Sequence, residues 1–278
     1  MPADEQERGD NRKGDQPSYY ATYANFEESV LEQVRRETYG EDIGQFGWVT
    51  AEEFRRFLSW LDLGPGSDVL DVACGSGGPA IFMAHTTGCR VTGIDVNEDG
   101  IRTASQMALS RGMSEQVHFL RCDAGQPLPF EDSSFDAITC IDAINHLYNR
   151  LDILREWHRV LRPGGRILFT DAIIVTGMLT RDEIMARSGS MGLFVFTPPG
   201  VHEHLIEAAG FNPPMVEDVT ATIATVTRNW REARANHESD LVEMEGRSEY
   251  DAFQDFLAVA HTLSSEHRLS RFVYVARG

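Results

Sequence analysis

The sequence predicts an α/β protein built on a doubly wound, mostly parallel β-sheet. One observation is the segment 69–80, where an apolar strand with Val69, Leu70 and Val72 breaks into a glycine-rich turn and a helix follows. A strand that is apolar on both faces is typical of a buried parallel sheet. The other observation is that strand and helix patterns alternate over residues 68–171, which favours right-handed crossovers and a ligand site at the carboxyl edge of the sheet.

The individual elements follow from apolar periodicity and from turn residues. Polar segments and glycine-rich turns separate them. The predicted strands are 68–73, 90–95, 116–121, 135–140 and 166–171, a sixth within 211–222, and 272–276; the predicted helices are 19–36, one capped by Thr50 and Glu53, 79–87, 98–111, 150–161, 198–209 and a long helical segment 224–267 with a break at Gly246.

The glycine-rich turn and the strand after it predict a nucleoside-bearing cofactor. Gly75 and Gly77 carry no Cβ that would hold a ligand away from the backbone, and the following helix offers free N–H groups. The next strand ends in Asp95, twenty residues after Gly75. A carboxylate at that position can accept hydrogen bonds from both hydroxyls of a ribose.

The kind of nucleoside cofactor stays open at this level. The spacing Gly75-x-Gly77-x-x-Ala80 fits the dinucleotide fingerprint, so an NAD(P)-dependent oxidoreductase is one alternative. Asp71 lies four residues before Gly75, where a carboxylate repels a pyrophosphate but suits a cationic amino-acid ligand. A third predicted strand leads to Asp123, whose carboxylate could hold an adenine amino group.

These motifs resemble those of class I S-adenosylmethionine-dependent methyltransferases. The D-x-G-x-G-x-G loop of that family is matched by Asp71, Gly75 and Gly77, with Ala73 in place of its first glycine. The order of the later strands extends the resemblance to residue 171. Within that family, the layout of this chain resembles that of small-molecule enzymes such as sarcosine/dimethylglycine and natural-product methyltransferases.

The resemblance implies a fold, a cofactor and a set of site residues. The fold is a Rossmann-like sheet of seven strands with an antiparallel last strand between strands five and six, and the cofactor is S-adenosyl-L-methionine. Asp71 and the loop would hold the methionine end, Asp95 the ribose, and Asp123 the adenine. An N-terminal helix with Tyr20 and Tyr23 would close over the donor. The implied cofactor-binding residues are Asp71, Ala73, Gly75, Gly77, Asp95, Val96, Asn97, Asp123, Ala124, Ile141, Tyr23, Gln45 and Trp48.

Two side chains are candidates for catalysis. Methyl transfer from a sulfonium is an in-line displacement, so alignment and exclusion of water matter most, and a hydroxyl acceptor also benefits from a general base. His146 follows the fourth strand, and Asp171 ends the fifth. A structural or donor-contacting role for His146 and a capped strand end for Asp171 remain alternatives.

The expected reaction is methylation of a nitrogen or oxygen of a small-molecule acceptor, with carbon methylation as the alternative. The segment around Met178, Met185, Met191, Phe194 and Phe196 predicts an insertion over the site and a partly apolar pocket. Four arginines could bind a substrate carboxylate or could simply be solvated. They are Arg181, Arg187, Arg228 and Arg231. The histidines on predicted helices are expected to be surface or packing residues; these are His202, His204, His237 and His261.

The composition disfavours several classes of partner. The net charge of −18 disfavours nucleic acid and anionic membranes, because both carry phosphates. No apolar run approaches the ~18 residues of a membrane span, and no secretion signal is visible, so a cytoplasmic protein is expected. The four cysteines form no C-x-x-C pair and no cluster has metal-ligand spacing, so no metal is expected. A homo-oligomer is left open.

The predicted organisation has three parts. Residues 1–17 form a polar tail of a composition typical of disorder, and residues 18–64 form an N-terminal helical cap. Residues 65–278 form the methyltransferase core, with insertions at about 172–198 and 224–268.

Overall fold

The computed structural model describes residues 22–23, 25–189 and 194–278. Its centre is one seven-stranded sheet. The strands are β1 (Asp68–Val72), β2 (Arg90–Asp95), β3 (Val117–Arg121), β4 (Phe135–Cys140), β5 (Leu161–Val175), β6 (Met215–Asp218) and β7 (Leu269–Arg277). Their order is β3-β2-β1-β4-β5-β7-β6, and β7 runs antiparallel to both of its neighbours. The expected fold class, including the antiparallel last strand between strands five and six, is therefore confirmed.

The helices cover both faces of this sheet and form a cap above its carboxyl edge. They are α1 (Ser29–Tyr39), α2 (Ala51–Ser59), α3 (Gly78–Thr87), α4 (Glu98–Ser110), α5 (Arg150–Val160), α6 (Arg181–Gly189), α7 (Val201–Ala208), α8 (Thr220–Asn236), α9 (Glu238–Glu245) and α10 (Arg247–Ser265), with a short 3₁₀-helix at Ile144–His146. Within the described ranges, no helix combines the length and the apolar character needed to cross a bilayer.

The core lies on both faces of the sheet, as alternation along β1 shows. Val69 packs in a cluster with residues of α2 and α3, whereas Leu70 and Val72 pack in a second cluster with residues of α5. All three side chains are fully buried. This is why β1 is apolar at successive positions rather than at alternate ones.

Several predicted element bounds differ from the structure. Of the predicted helix 19–36, residues 19–21 and 24 lie outside the described residues; Thr22 and Tyr23 are helical, the chain turns at 25–27, and α1 begins at Ser29. At this turn the buried Arg35 guanidinium donates to the Phe26 carbonyl. Strand β5 spans 161–175 and absorbs a register irregularity against β4. The long helical segment starts at Thr220 and breaks at His237 as well as at Gly246. The predicted tail 1–17, Tyr20 and Met191 lie outside the described residues.

The cap is fixed to the core by one buried arginine. Arg271 of β7 is fully buried; its Nε donates to Asp142 Oδ1 at 2.7 Å and its Nη1 to Glu53 Oε2 at 2.5 Å. Thr50 caps α2 as expected, by accepting from the Glu53 N–H at 3.2 Å. The Glu53 carboxylate does not complete the predicted capping box, however, because it turns to Arg271 and to the Thr222 hydroxyl.

Two carboxylates keep this guanidinium charged in the interior. Burial acts to lower the pKa of Arg271, but the negative charges of Asp142 and Glu53 outweigh it and raise the pKa. Asp142 in turn accepts from the Trp48 N–H at 2.9 Å, so the cluster connects β7, the end of β4 and the cap loop.

Arg271→Met should destabilise the protein by about 3–5 kcal/mol, because it leaves two buried carboxylates without their cation. Urea denaturation at pH 7 measures the loss. Arg247→Met is the matched control: Arg247 pairs with Glu238 on the surface, with 56% of its side chain exposed, and should change the midpoint little. Equal midpoints for the two variants would contradict the role of Arg271.

Candidate functional site

A cavity of about 500 Å³ lies at the carboxyl ends of β1 to β4, beneath the cap. One end is formed by the glycine-rich turn and by acidic residues that follow the strands, and we call it the acidic end. Its acids are Asp71, Asp95 and Asp123. The other end is lined by rings of the cap and of the helices beyond β5, and we call it the aromatic end. Its rings are Phe46, Trp48, Phe194, Trp230, Phe253 and Phe256.

The turn at the acidic end has an unusual backbone. Ala73, Gly75 and Gly77 all have positive φ, at 58°, 55° and 79°. For an L-residue such as alanine this left-handed conformation costs about 1–2 kcal/mol. The alanine that replaces the family's first glycine therefore keeps the left-handed backbone and is strained by it.

The cap lies directly against this turn. A Cβ at Gly75 would stand 2.7 Å from the Tyr23 hydroxyl oxygen, and a Cβ at Gly78 would stand 2.2 Å from the Gly44 carbonyl oxygen. Neither distance is compatible with a side chain. The glycines therefore admit the cap as well as a ligand, and they bring Tyr23 into the cavity wall.

Asp95 is oriented by the backbone around it. Its Oδ2 accepts from the Gly75 N–H at 2.9 Å, and its Oδ1 accepts from the Asn97 N–H at 2.8 Å. Burial raises the pKa of Asp95, while the N–H donors at Asn97 and Gly75 oppose that shift. Its carboxylate faces the cavity with lone pairs left for a further pair of donors.

Asp71 is the most deeply buried acid of the cavity, with 4% of its surface exposed. Burial raises its pKa to about 7; the 2.7 Å hydrogen bond from the Thr139 hydroxyl lowers the pKa, and the nearby Asp95 charge raises it. A cation bound beside Asp71 would favour the ionised form. The site therefore suits an ammonium or sulfonium ligand.

Most of the expected cofactor-binding residues meet in this one cavity. Those that line it are Asp71, Ala73, Gly75, Asp95, Val96, Asp123, Ala124, Ile141, Tyr23, Gln45 and Trp48. Gly77 and Asn97 do not line it. A Cβ at Gly77 would meet the Phe119 ring at 2.5 Å, and Asn97 caps α4 by accepting from the Gly100 N–H at 2.9 Å. Both residues shape the site from outside the cavity.

The two catalytic candidates are placed differently. His146 ends the 3₁₀-helix and lines the cavity, with its ring centroid 4.7 Å from that of Phe194. Asp171 does not line the cavity and is fully buried. Its Oδ2 lies 2.7 Å from His202 Nε2 and 3.6 Å from Arg150 Nη1. Asp171 is thus part of a packed ion cluster, and the structure offers it no path to an acceptor.

The aromatic end contains residues that the sequence did not assign to a site. Trp230 follows Ile223 and Val226 at helical spacing on α8, and Phe253 and Phe256 are three residues apart on α10, which is also the pattern of ordinary core helices. Asn145 lines the cavity with a buried Oδ1 that has no hydrogen-bond partner. Of the four arginines considered for a carboxylate, Arg187 lines the cavity, whereas the others are exposed; these are Arg181, Arg228 and Arg231. Within the described ranges no group of three His, Cys, Asp or Glu side chains could hold a metal ion.

Comparisons with known proteins show what this region is similar to. Residues 70–169 match the family described as "Methyltransferase domain". The chain is 32% identical over 167 residues to 27-O-demethylrifamycin SV methyltransferase of Amycolatopsis mediterranei (strain S699), covering 59% of this chain and 61% of that relative. It is 42% identical over 166 residues to methyltransferase GfsG of Streptomyces halstedii, covering 58% of each. The chain thus spans about three fifths of the length of these curated relatives.

A solved structure extends the similarity of fold to nearly the whole chain. The cyclopropane synthase MmaA2 of Mycobacterium tuberculosis superposes with a TM-score of 0.77 at 17% identity, covering 94% of this chain and 99% of that one. At this identity the likeness concerns the fold alone.

Asp71→Asn should change how stability depends on pH. The pKa of Asp71 in the folded protein is about 7, against an ordinary aspartate value of 3.8, so the folded state holds its proton more tightly than the unfolded chain. This contribution is fully present below about pH 4 and is lost as the pH rises to about 7. Unfolding free energies of wild type and variant, measured from pH 4 to 8, should diverge over that window. A constant difference would contradict the shifted pKa.

Proposed function

We propose that this chain, whose residues 70–169 belong to the methyltransferase domain family, transfers a methyl group from S-adenosyl-L-methionine to a nitrogen or oxygen of a small molecule. The observation that carries the proposal is the continuity of the cavity. An acidic end that suits a nucleoside and an apolar aromatic end share one continuous cavity of about 500 Å³.

The acidic end fits the donor residue by residue. Asp95 would accept from the ribose hydroxyls, Asp123 with Ala124 would hold the adenine, and Asp71 would face the cationic methionine end. When bound, the donor supplies an electrophilic methyl group on a sulfonium.

The aromatic end fits an apolar small molecule. The volume of the whole cavity, about 500 Å³, falls in the range of small-molecule pockets, which is about 300–1,000 Å³. The rings of the aromatic end would exclude water and hold the acceptor. The main contribution of the protein would then be to align the acceptor atom with the methyl group of the donor. The curated relatives include an enzyme named for a rifamycin, and this supports a natural-product-sized acceptor.

His146 is the group best placed to take a proton from the acceptor. It lines the cavity between the Phe194 ring and the end of β4. A hydroxyl acceptor would need such a base at or before transfer, whereas a neutral amine would not.

Donor binding provides the first test. Calorimetry should show that S-adenosyl-L-methionine and S-adenosylhomocysteine bind, and that NAD⁺ and NADP⁺ do not. Asp95→Ala should weaken donor binding at least about tenfold, because hydrogen bonds to a charged group contribute about 1.5–3 kcal/mol. Glu98→Ala, which removes an exposed acid three residues away, is the control. Unchanged donor affinity in Asp95→Ala would remove the ribose assignment, and a preference for NAD⁺ would replace the proposal by an oxidoreductase.

Product analysis provides the second test. Wild-type protein with methyl-labelled donor and a panel of small amines, alcohols, phenols and carboxylic acids should yield a labelled product. Its NMR spectrum identifies a nitrogen, oxygen or carbon as the acceptor atom. If the protein binds the donor but no labelled product forms, the result would indicate a binding protein and contradict the proposed enzyme activity.

His146→Ala should leave donor affinity within a few-fold of wild type, because the acids bind the donor at the other end of the cavity. If the acceptor is a hydroxyl, turnover should fall by about 10²–10⁴-fold, the usual contribution of a general base. Single-turnover rates across pH 6 to 9 measure this. Undiminished turnover would remove the base role.

A further inference from the structure

One buried arginine at the aromatic end lacks the carboxylate partner that the other buried arginines have. Five arginines are buried in the described part of the chain, and four of them pair with carboxylates. These pairs are Arg35 with Asp42, Arg150 with Asp171, Arg234 with Glu245, and Arg271 with Asp142. Arg187 is the fifth: it has 2% of its surface exposed, and its Nη1 has no hydrogen-bond partner.

Aromatic rings, not acids, surround this guanidinium. Its carbon lies 4.6 Å from the ring centroid of Phe256, 5.3 Å from that of Phe194 and 5.7 Å from that of Trp48. All three rings line the cavity, and so does Arg187. Cation–π contacts hold such a group in a fixed plane but do not replace the hydrogen bonds of its N–H donors.

The acid whose charge acts on Arg187 is Asp171, and it is already occupied. Asp171 pairs with Arg150 and His202. Burial lowers the pKa of Arg187 to about 10, with the Asp171 charge acting to raise it, so the guanidinium remains charged at neutral pH. A buried charge without a counter-ion destabilises a fold. Its retention in the cavity therefore points to a ligand that supplies the missing anion.

We propose that Arg187 binds a carboxylate or phosphate of the methyl acceptor, whose remaining body is apolar and lies against the aromatic end. This rests on the proposed function, since it describes the acceptor of the same cavity. A guanidinium presents two parallel N–H donors to such a group. The acidic end repels anions, so an anionic acceptor would enter with its charged group directed to Arg187 and away from the donor acids.

Binding of simple anions tests the assignment. The probes are 3-phenylpropionate and phenyl phosphate, with the neutral 3-phenylpropionamide for comparison, titrated into the protein by calorimetry with and without S-adenosylhomocysteine. At least one anion should bind wild type tenfold or more tightly than the amide. The stronger of the two identifies a carboxylate or a phosphate site.

Two arginine variants of α6 separate a site from surface charge. Arg187→Met keeps an apolar side chain against the rings and should remove the preference for the anion. Arg181→Met removes an exposed charge from the same helix and should keep that preference. The melting temperature of ligand-free Arg187→Met should equal or exceed that of wild type, because an unpaired buried charge has been removed. A purely structural arginine would lower it.

Several results would overturn the assignment. One is that neither anion binds wild type up to millimolar concentration, or that the amide binds equally well. Another is that Arg187→Met keeps the preference. A third is that Arg187→Met weakens S-adenosylhomocysteine tenfold, because the arginine would then hold the carboxylate of the donor. Failure of the proposed function is distinct from all of these, since wild type would then bind no S-adenosyl compound at all.

Discussion

The ion cluster of Arg271 with Asp142 and Glu53 is the constraint on which the cavity depends. These residues come from β7, the end of β4 and α2, so one buried guanidinium joins the sheet to the cap. Asp142 carries the arrangement further: it holds a positive φ of 55° and accepts from the Trp48 N–H. The cap loop over the cavity is therefore positioned by charge pairing in the interior. Asp142, the residue with the strained backbone, lies two residues before the 3₁₀-helix that contains His146.

Buried arginines serve two ends in this fold. Arg271 pairs with two carboxylates and stabilises the contact between the sheet and the cap. Arg187 pairs with none, so its buried charge destabilises the ligand-free aromatic end. Asp71 shows the same contrast on the acid side, because burial without a cation raises its pKa to about 7. Arg187 and Asp71, which have no counter-ion, line the cavity, whereas the Arg271 guanidinium lies outside it. Such a distribution is typical of a site that is completed by its ligands.

Local pattern predicted the strands, the acids and part of the aromatic end, namely Trp48 and Phe194, but not its rings on α8 and α10. Asp95 ends β2 and Asp123 follows β3, and parallel strands bring their carboxyl ends to one edge, so periodicity alone placed them together. Asp171 also ends a strand, yet its partners Arg150 and His202 come from helices that periodicity does not position relative to it. Similarly, Trp230 has the spacing of any core helix, and its exposure to a cavity depends on how α8 packs against the cap.

The two ends of the cavity differ in their access to solvent, and this difference affects how ligands could enter and leave. Asp123 and Val96 are exposed at the rim of the acidic end, whereas Gln45 and Trp48 are buried beneath the cap. An adenosyl group could therefore leave along the open rim while the Arg271 cluster stays intact. Tyr148, with 64% of its surface in solvent, is a further exposed residue of the cavity lining. In the proposed function the ligands would therefore exchange along exposed parts of the cavity, and the buried frame need not open in each cycle.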